Sequence, residues 1–387
     1  MRLIKGILYY GVILLITLAL VEVFSYALTI NGFLLVNDIP GRYLKASKAT
    51  TATHYSWRTE REDWGAWHLS NASAIHSKSC FSVWYESNEV GARDGSFADI
   101  MDLPNVVLLG DSFAEGWGVN LEDTSQSIIE GLTRLNILNF GAAAHFGPVQ
   151  YYTIYEKLAK SYPHEALVIF FIPNSDFTDN DYSVWRGNGS TFFNDARDER
   201  YRPYYKVDND GELSAFIPKN AVKRDSFGSR NESWDWRIFL VENFWLSNTW
   251  RTAKHAIEGR ANNNADAGRL YAGYFDAKEK QQKAAMEYVN RLVQAAESKL
   301  VLIVAIPTAE DLRRLKLGFD VSSMYWWHYL KNFSSNNANV EFLDLAGSEV
   351  DDIDRLFHTC DEHWSAYGNK WAAEKISPIL TKFINNL

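Results

Sequence analysis

Asn105-Val106-Val107-Leu108-Leu109-Gly110-Asp111-Ser112-Phe113 joins a short apolar run to a glycine turn and a serine. The run has the length and β-branched character of a buried strand, and Gly110 relieves the backbone where the chain must turn sharply. A serine just beyond such a turn lies at the carboxyl edge of the strands, where open α/β sheets gather ligands. Taken alone, Ser112 is better explained as a turn or helix-capping residue.

Outward from this stretch, Asn136–Phe140, Ala166–Ile172, Leu300–Ile306 and Val340–Leu345 have the same strand character. Helical stretches lie between them: Ser125–Arg134 follows Ser112, and Ala277–Ser298 repeats apolar residues at Ala284, Ala285, Tyr288, Val289, Leu292, Val293 and Ala296. This alternation predicts an α/β fold with a parallel sheet covered by helices on both faces. The interval 178–266 breaks the alternation and is too long for a strand-to-helix loop, which predicts an insertion over the active-site edge of a catalytic domain spanning 103–387. Residues 37–102 are polar and aromatic, with Trp57, Trp64, Trp67 and Trp84 at no regular period, and read as an irregular leader packing on that domain.

The 387 residues are 47% hydrophobic and 14% aromatic, enough to bury a large core. The net charge of −9 is dispersed along the chain, which argues against a nucleic-acid partner. Cys80 and Cys360 have no metal-ligand spacing; they are either a bridge allowed by an oxidising compartment or two small core residues. No metal and no cofactor is implied.

From Ile7 to Ile30 the only charged residue is Glu22, and as a helix this span reaches roughly 36 Å, enough to cross a bilayer. Arg2 and Lys5 precede it and favour a cytoplasmic amino terminus with the remainder exported, whereas Arg42, Lys45 and Lys48 beyond it weigh the other way. Glu22 is costly in lipid unless it lies near an interface or meets a partner helix. The shorter run Ile7–Val21, with Ser25-Tyr26-Ala27 behind it, also fits a cleaved signal peptide. Residues 1–36 therefore read as an anchor or an export signal, and both place the domain outside the cytoplasm.

Near the carboxyl terminus, Cys360-Asp361-Glu362-His363-Trp364-Ser365 places a carboxylate two residues before a histidine at the entrance to a last helix. A serine hydroxyl needs a base to take its proton, histidine suits that task near neutrality, and a carboxylate on the other ring nitrogen orients the imidazole. Ser112, His363 and Asp361 together are candidates for nucleophile, general base and orienter.

In chain order, Gly110-Asp111-Ser112-Phe113, Asn139-Phe140-Gly141, Asn174 before Asp176, and Asp361-x-His363-Trp364 resemble the ordered blocks of the SGNH, or GDSL-type, hydrolase family. The resemblance covers about residues 85 to 385. Asn88-Glu89-Val90-Gly91-Ala92-Arg93-Asp94 and the Asp-x-His spacing resemble bacterial membrane-anchored members associated with surface polysaccharides. The resemblance implies a flavodoxin-like three-layer sandwich and an oxyanion hole built from Ser112 and two further donors. By its distance to Gly147-Pro148-x-Gln150, Ala144 occupies the second donor position, with Gly141 as the alternative. Asn174 supplies the third after a one-residue shift, or Ser175 replaces it with a hydroxyl. His145 is placed to line the site, and Trp117 and Trp364 are either sugar-stacking faces or buried aromatics.

These residues and the resemblance they carry predict a serine-dependent ester hydrolase acting on acyl, above all O-acetyl, esters of a surface or extracellular polysaccharide. It would be held by residues 7–30 in the inner (cytoplasmic) membrane as a single-pass protein with a periplasmic domain. An O-acetyltransferase uses the same residues but needs a membrane acyltransferase or polysaccharide-export partner as acyl donor. A glycan-binding or assembly protein on a decayed hydrolase frame is the reading from a different class.

Overall fold

The first helix of the computed structural model, α1 (Arg2–Ile30), is long and apolar enough to cross a membrane. The structure describes residues 2–34, 43–44, 58–99, 103–143, 145–185, 201–207, 212–221, 223, 240, 243–262 and 273–385. The 37–102 leader is not irregular throughout where it is described. It contains two antiparallel hairpins, β1 (Arg58–Arg61) with β2 (Gly65–His68) and β3 (Ser73–Lys78) with β4 (Phe81–Glu86). In β4, Val83 and Tyr85 are buried while Ser82, Trp84 and Glu86 face outward, a period of two over too few residues to stand out in the sequence. β1 is polar throughout, and the first hairpin is held by Trp64 and Trp67, which join the core of the α/β unit, while the second has a small cluster of its own around Val83 and Tyr85. Gly65 turns the first hairpin at φ +87, where an added Cβ would lie 2.4 Å from the Tyr201 carbonyl oxygen.

The five expected strands form one parallel sheet. β5 (Asn105–Leu109), β6 (Asn136–Asn139), β7 (Ala166–Phe171), β10 (Leu300–Ala305) and β11 (Val340–Asp344) lie in the order β11-β10-β7-β5-β6. By rank in the chain this is 2-1-3-4-5, the flavodoxin-like doubly wound order, whose direction reverses between β5 and β7. Strand periodicity divides the core in two. Val107, Leu109, Ile169 and Ile303 face α4 (Pro148–Lys157), α7 (Glu279–Ala295) and α9 (Tyr325–Asn336). Val106, Leu108, Val168 and Val304 face α3 (Ser125–Thr133), α8 (Ala309–Lys316) and α10 (Ala366–Ile384). Each fully buried aliphatic side chain contributes roughly 1.5–3 kcal/mol.

Between β7 and β10, the described part of the 178–266 interval holds a hairpin, β8 (Tyr204–Val207) with β9 (Leu213–Phe216), and a helix, α6 (Trp245–Asn262). The buried Arg202 guanidinium, just before β8, donates to the carbonyl oxygens of His145 and Asp179, tying this segment to the loop after β6. α6 packs against α1, where the Glu22 carboxylate accepts the Trp245 and Leu246 N–H groups at 2.6 and 2.9 Å.

Candidate active site

Gly110 ends β5 where no side chain fits: a Cβ there would meet Ala114 Cβ at 2.7 Å and Phe170 Cβ at 2.9 Å. Asp111 then caps the short helix α2 (Ser112–Glu115) by accepting the Phe113 N–H, and Gly116 closes it in the left-handed conformation. Ser112 is therefore the first residue of a helix that starts at the sheet's switch point, with its hydroxyl at the carboxyl edge. The segment 88–94 supports this turn. Buried Arg93 stacks on Tyr85 at 3.8 Å and donates to the carbonyls of Glu115, Gly116 and Val119, while Asp94 accepts the Asn139 N–H.

His363 approaches from a loop that local bonds hold in shape. Phe357 and Trp364 form a β-bridge, the His358 N–H donates to the His363 carbonyl at 2.9 Å, and the His363 N–H donates to Asp361 Oδ1 at 3.1 Å. Ser365 caps α10 by accepting the Gly368 N–H, and Gly368 passes so close to the Leu356 carbonyl that a Cβ would lie 2.0 Å from it. His363 Nε2 lies 2.7 Å from Ser112 Oγ, and His363 Nδ1 is hydrogen-bonded to Asp361 Oδ1. The Phe113 and Trp117 rings flank the imidazole at centroid distances of 5.2 and 5.3 Å. The three residues expected to work together thus form one continuous chain, although 251 residues separate Ser112 from His363.

Two residues complete the setting of Asp361. Trp117 Nε1 donates to its Oδ2 at 3.2 Å, and Lys78 Nζ, from the end of β3, is ion-paired to the same oxygen. Cys80 and Cys360, whose pairing the sequence left open, are disulfide-bonded with Cα atoms 5.7 Å apart. The bridge fixes the β3–β4 turn to the residue next to Asp361. Burial by itself raises the Asp361 carboxyl, but the charge and hydrogen bond of His363, with those of Lys78, outweigh it and hold the group well below the usual carboxylate range. Asp361 is therefore held ionised beside His363 Nδ1.

Beneath Ser112, burial pushes Asp111 up to about 6. Asp176 is raised well above the ordinary value by burial and then by the charge of Asp111. Asp176 accepts the Ile172 N–H at 2.9 Å and the Tyr151 hydroxyl at 2.8 Å, so it shapes the start of α5 (Pro173–Asp179).

The expected oxyanion donors fare differently. The Ser112 N–H has no acceptor among the described residues. The Gly141 alternative is corrected: its N–H donates to Asn139 Oδ1 at 2.8 Å, and a Cβ there would lie 2.5 Å from Ala114 Cβ, so this glycine serves close packing against α2. The next two N–H groups are also engaged, Ala142 with the Gly110 carbonyl and Ala143 with the Glu115 carboxylate. Ala144 lies outside the described residues. Asn174 is half-buried at the carboxyl end of β7, beside β5, and its side chain has no hydrogen bond among the described residues. Ser175 is buried, with an unbonded Oγ. His145, at φ +56, has a one-third exposed side chain between Asp179 and Trp185. Trp364 is buried beneath the sheet edge as a core residue, whereas Trp117 stands beside His363.

Sequence reasoning missed Lys78. It lies 283 residues from Asp361, and its proximity to Cys80 was the one available signal, legible only once the bridge is known.

No family model and no curated protein matches the chain. Among solved structures, it is similar to a member of the lipolytic protein G-D-S-L family from Veillonella parvula, with 13% identity, a TM-score of 0.37 and coverage of 72% of this chain and 98% of that one. It is also similar to a carbohydrate esterase family 2 enzyme with a carbohydrate-binding domain from Corynascus thermopiles, with 10% identity, a TM-score of 0.38 and coverage of 78% and 76%. At such distances neither reaction nor substrate transfers, and the chemistry is read from the side chains.

Proposed function

We propose that the chain is a serine-dependent ester hydrolase of the SGNH (GDSL-type) family, acting on acyl, above all O-acetyl, esters of a surface or extracellular polysaccharide. The observation that carries the reading is the hydrogen-bonded chain from Asp361 through His363 to Ser112 at the sheet's switch point. His363 Nε2 takes the Ser112 Oγ proton as the oxygen attacks the ester carbonyl, and Asp361 stabilises the imidazolium. The tetrahedral oxyanion is received by the Ser112 N–H, with the Ala144 N–H and the Asn174 side chain as the other donors. His363 protonates the departing sugar oxygen. Water, activated by the same nitrogen, then attacks the acyl-serine, releasing the carboxylic acid and restoring the serine.

The glycan part of the reading is supported by the Trp117 ring beside His363, a face suited to a sugar, and by the apolar amino-terminal helix, which suits export with the amino terminus in the cytoplasm. The test is labelling with a fluorophosphonate together with turnover of an aryl acetate. Wild type should label and turn over, Ser112→Ala should do neither, and an unlabelled wild-type serine in a folded protein would refute an activated nucleophile. Adding a sugar acceptor separates hydrolysis from transfer, since a transferase yields acetylated sugar at the expense of acetate.

A further inference from the structure

α1 carries a charged residue in an otherwise apolar span, and the structure gives it a specific partner. Both Glu22 carboxylate oxygens accept hydrogen bonds from the first N–H groups of α6, at Trp245 and Leu246. These donors have no partner within their own helix, so the carboxylate and the helix start satisfy each other. The joint extends along one face of α1: Ser25 and Thr29, three and seven residues on, are 5% and 4% exposed, and the Tyr26 ring meets Trp245 edge-on at 5.3 Å. Asn248, one turn into α6, is 1% exposed. Most other apolar side chains of α1 among the described residues, such as Leu15, Leu20 and Phe24, point outward.

This joint fixes the depth of α6. Lys5 and Glu22 are 17 residues apart, about 26 Å along a helix, against a hydrocarbon core of about 30 Å. With Lys5 at one boundary, Glu22 and the first turn of α6 lie within about one helical turn of the other, with the last apolar residues of α1 up to Ile30 beyond them. There Phe244, just before α6, and Trp250 within it are exposed, the latter 70%, and the side chain of Lys254 is exposed one turn further. Aromatic rings followed by cationic groups match the boundary between acyl chains and headgroups.

We infer that α6 rests in the outer interface of the bilayer that α1 crosses, with Trp250 seated at the headgroup level and Glu22 as the polar joint between the two helices. The inference rests on α1 being a retained membrane span. It gives the 178–266 interval a role: α6 is a second contact with the membrane, holding the catalytic domain against the surface rather than on a free tether.

The two native cysteines are bonded to each other, so an introduced cysteine is a unique label site. The full chain, in nanodiscs of phosphatidylethanolamine and phosphatidylglycerol, is labelled with an environment-sensitive fluorophore at Trp250→Cys, at Leu15→Cys in α1, and at Leu317→Cys, an exposed site on the catalytic domain. Quenching by nitroxides on lipid headgroups and acyl chains is compared with quenching by aqueous iodide. Expected are acyl-chain quenching at 15, iodide quenching alone at 317, and at 250 headgroup-nitroxide quenching with several-fold protection from iodide. If position 250 behaves like 317 while 15 is in lipid, the docking fails and the anchor stands. Position 15 open to iodide overturns the anchor and the docking with it. Protection of 250 from both quenchers means that protein covers it, a second copy or another partner, and also overturns the inference.

Discussion

Replacing Lys78 by methionine should impair catalysis through Asp361 while leaving substrate binding intact. The ion pair is largely buried, with side-chain exposures of 17% and 5%. At contact distance and an effective dielectric near 20, its Coulomb attraction is about 5 kcal/mol, much of it offset by the desolvation of both groups. Asp361 keeps Trp117 and His363 as partners, so the net cost to folding should be about 1–3 kcal/mol. The catalytic cost follows from position. Replacing the orienting aspartate of a triad by asparagine costs about 10⁴ in kcat. Lys78 acts only by holding that carboxylate, so Lys78→Met should lower kcat by about 10- to 100-fold, or roughly 1.4–2.7 kcal/mol, with KM little changed. Lys78→Arg should recover most of the loss. The assay is aryl-acetate hydrolysis by Lys78→Met, Asp361→Asn and the double variant, each checked for folding. Because Lys78 works through Asp361, its removal should cost little more once Asp361 is asparagine. A folded Lys78→Met with wild-type kcat, or the same factor lost in both backgrounds, would refute a positioning role. The same contact governs acid stability. A carboxylate held low contributes stability above its unfolded value near 4 and loses it as pH falls further, so Lys78→Met should unfold at a higher pH than wild type.

Reducing the Cys80–Cys360 bridge, or replacing Cys360 by serine, opens a cross-link across 280 residues, for which chain entropy gives about 5.6 kcal/mol as an upper figure. Tm and aryl-acetate turnover should fall together, because Asp361 adjoins Cys360; a fall in Tm with undiminished turnover in the folded fraction would dissociate the bridge from the site. Of the two side-chain candidates for the oxyanion hole, Asn174→Ala should cost about 10²–10³ in kcat and Ser175→Ala only a few-fold, since Asn174 is the more accessible; the reverse order assigns the donor to Ser175. Burial pushes Asp94 up to about 7, so the folded state holds a proton that the unfolded chain has released between pH 4 and 7. Stability should fall as pH rises across that window, by at most one proton's worth of slope, about 1.4 kcal/mol per pH unit, and this component should flatten in Asp94→Asn. Identical pH profiles for the two proteins would contradict it.

The α/β frame was legible because most of its strands are short apolar runs and α7 repeats at three and four, patterns imposed by burial on two faces and one. The hairpins of the leader were not, because β1 is polar and the strands are held by Trp64 and Trp67 in the main core and by Tyr85, which meets Arg93 and Gly118. Local sequence carries no trace of such contacts.

By itself the sequence determined which residues had chemistry to offer: a serine at a strand end, a histidine with a carboxylate two residues before it, and an apolar helix with one acid. Those are properties of residue type and short spacing. Only the tertiary structure decided what each one meets. It set His363 Nε2 at 2.7 Å from Ser112, gave Gly141 to packing rather than to the oxyanion, joined Cys80 to Cys360, brought Lys78 onto Asp361, and paired Glu22 with the start of α6. The physical reason is separation along the chain: apart from the local Gly141 contact, each partner lies more than 200 residues away, and parallel strands with long crossovers bring together residues that no local pattern connects.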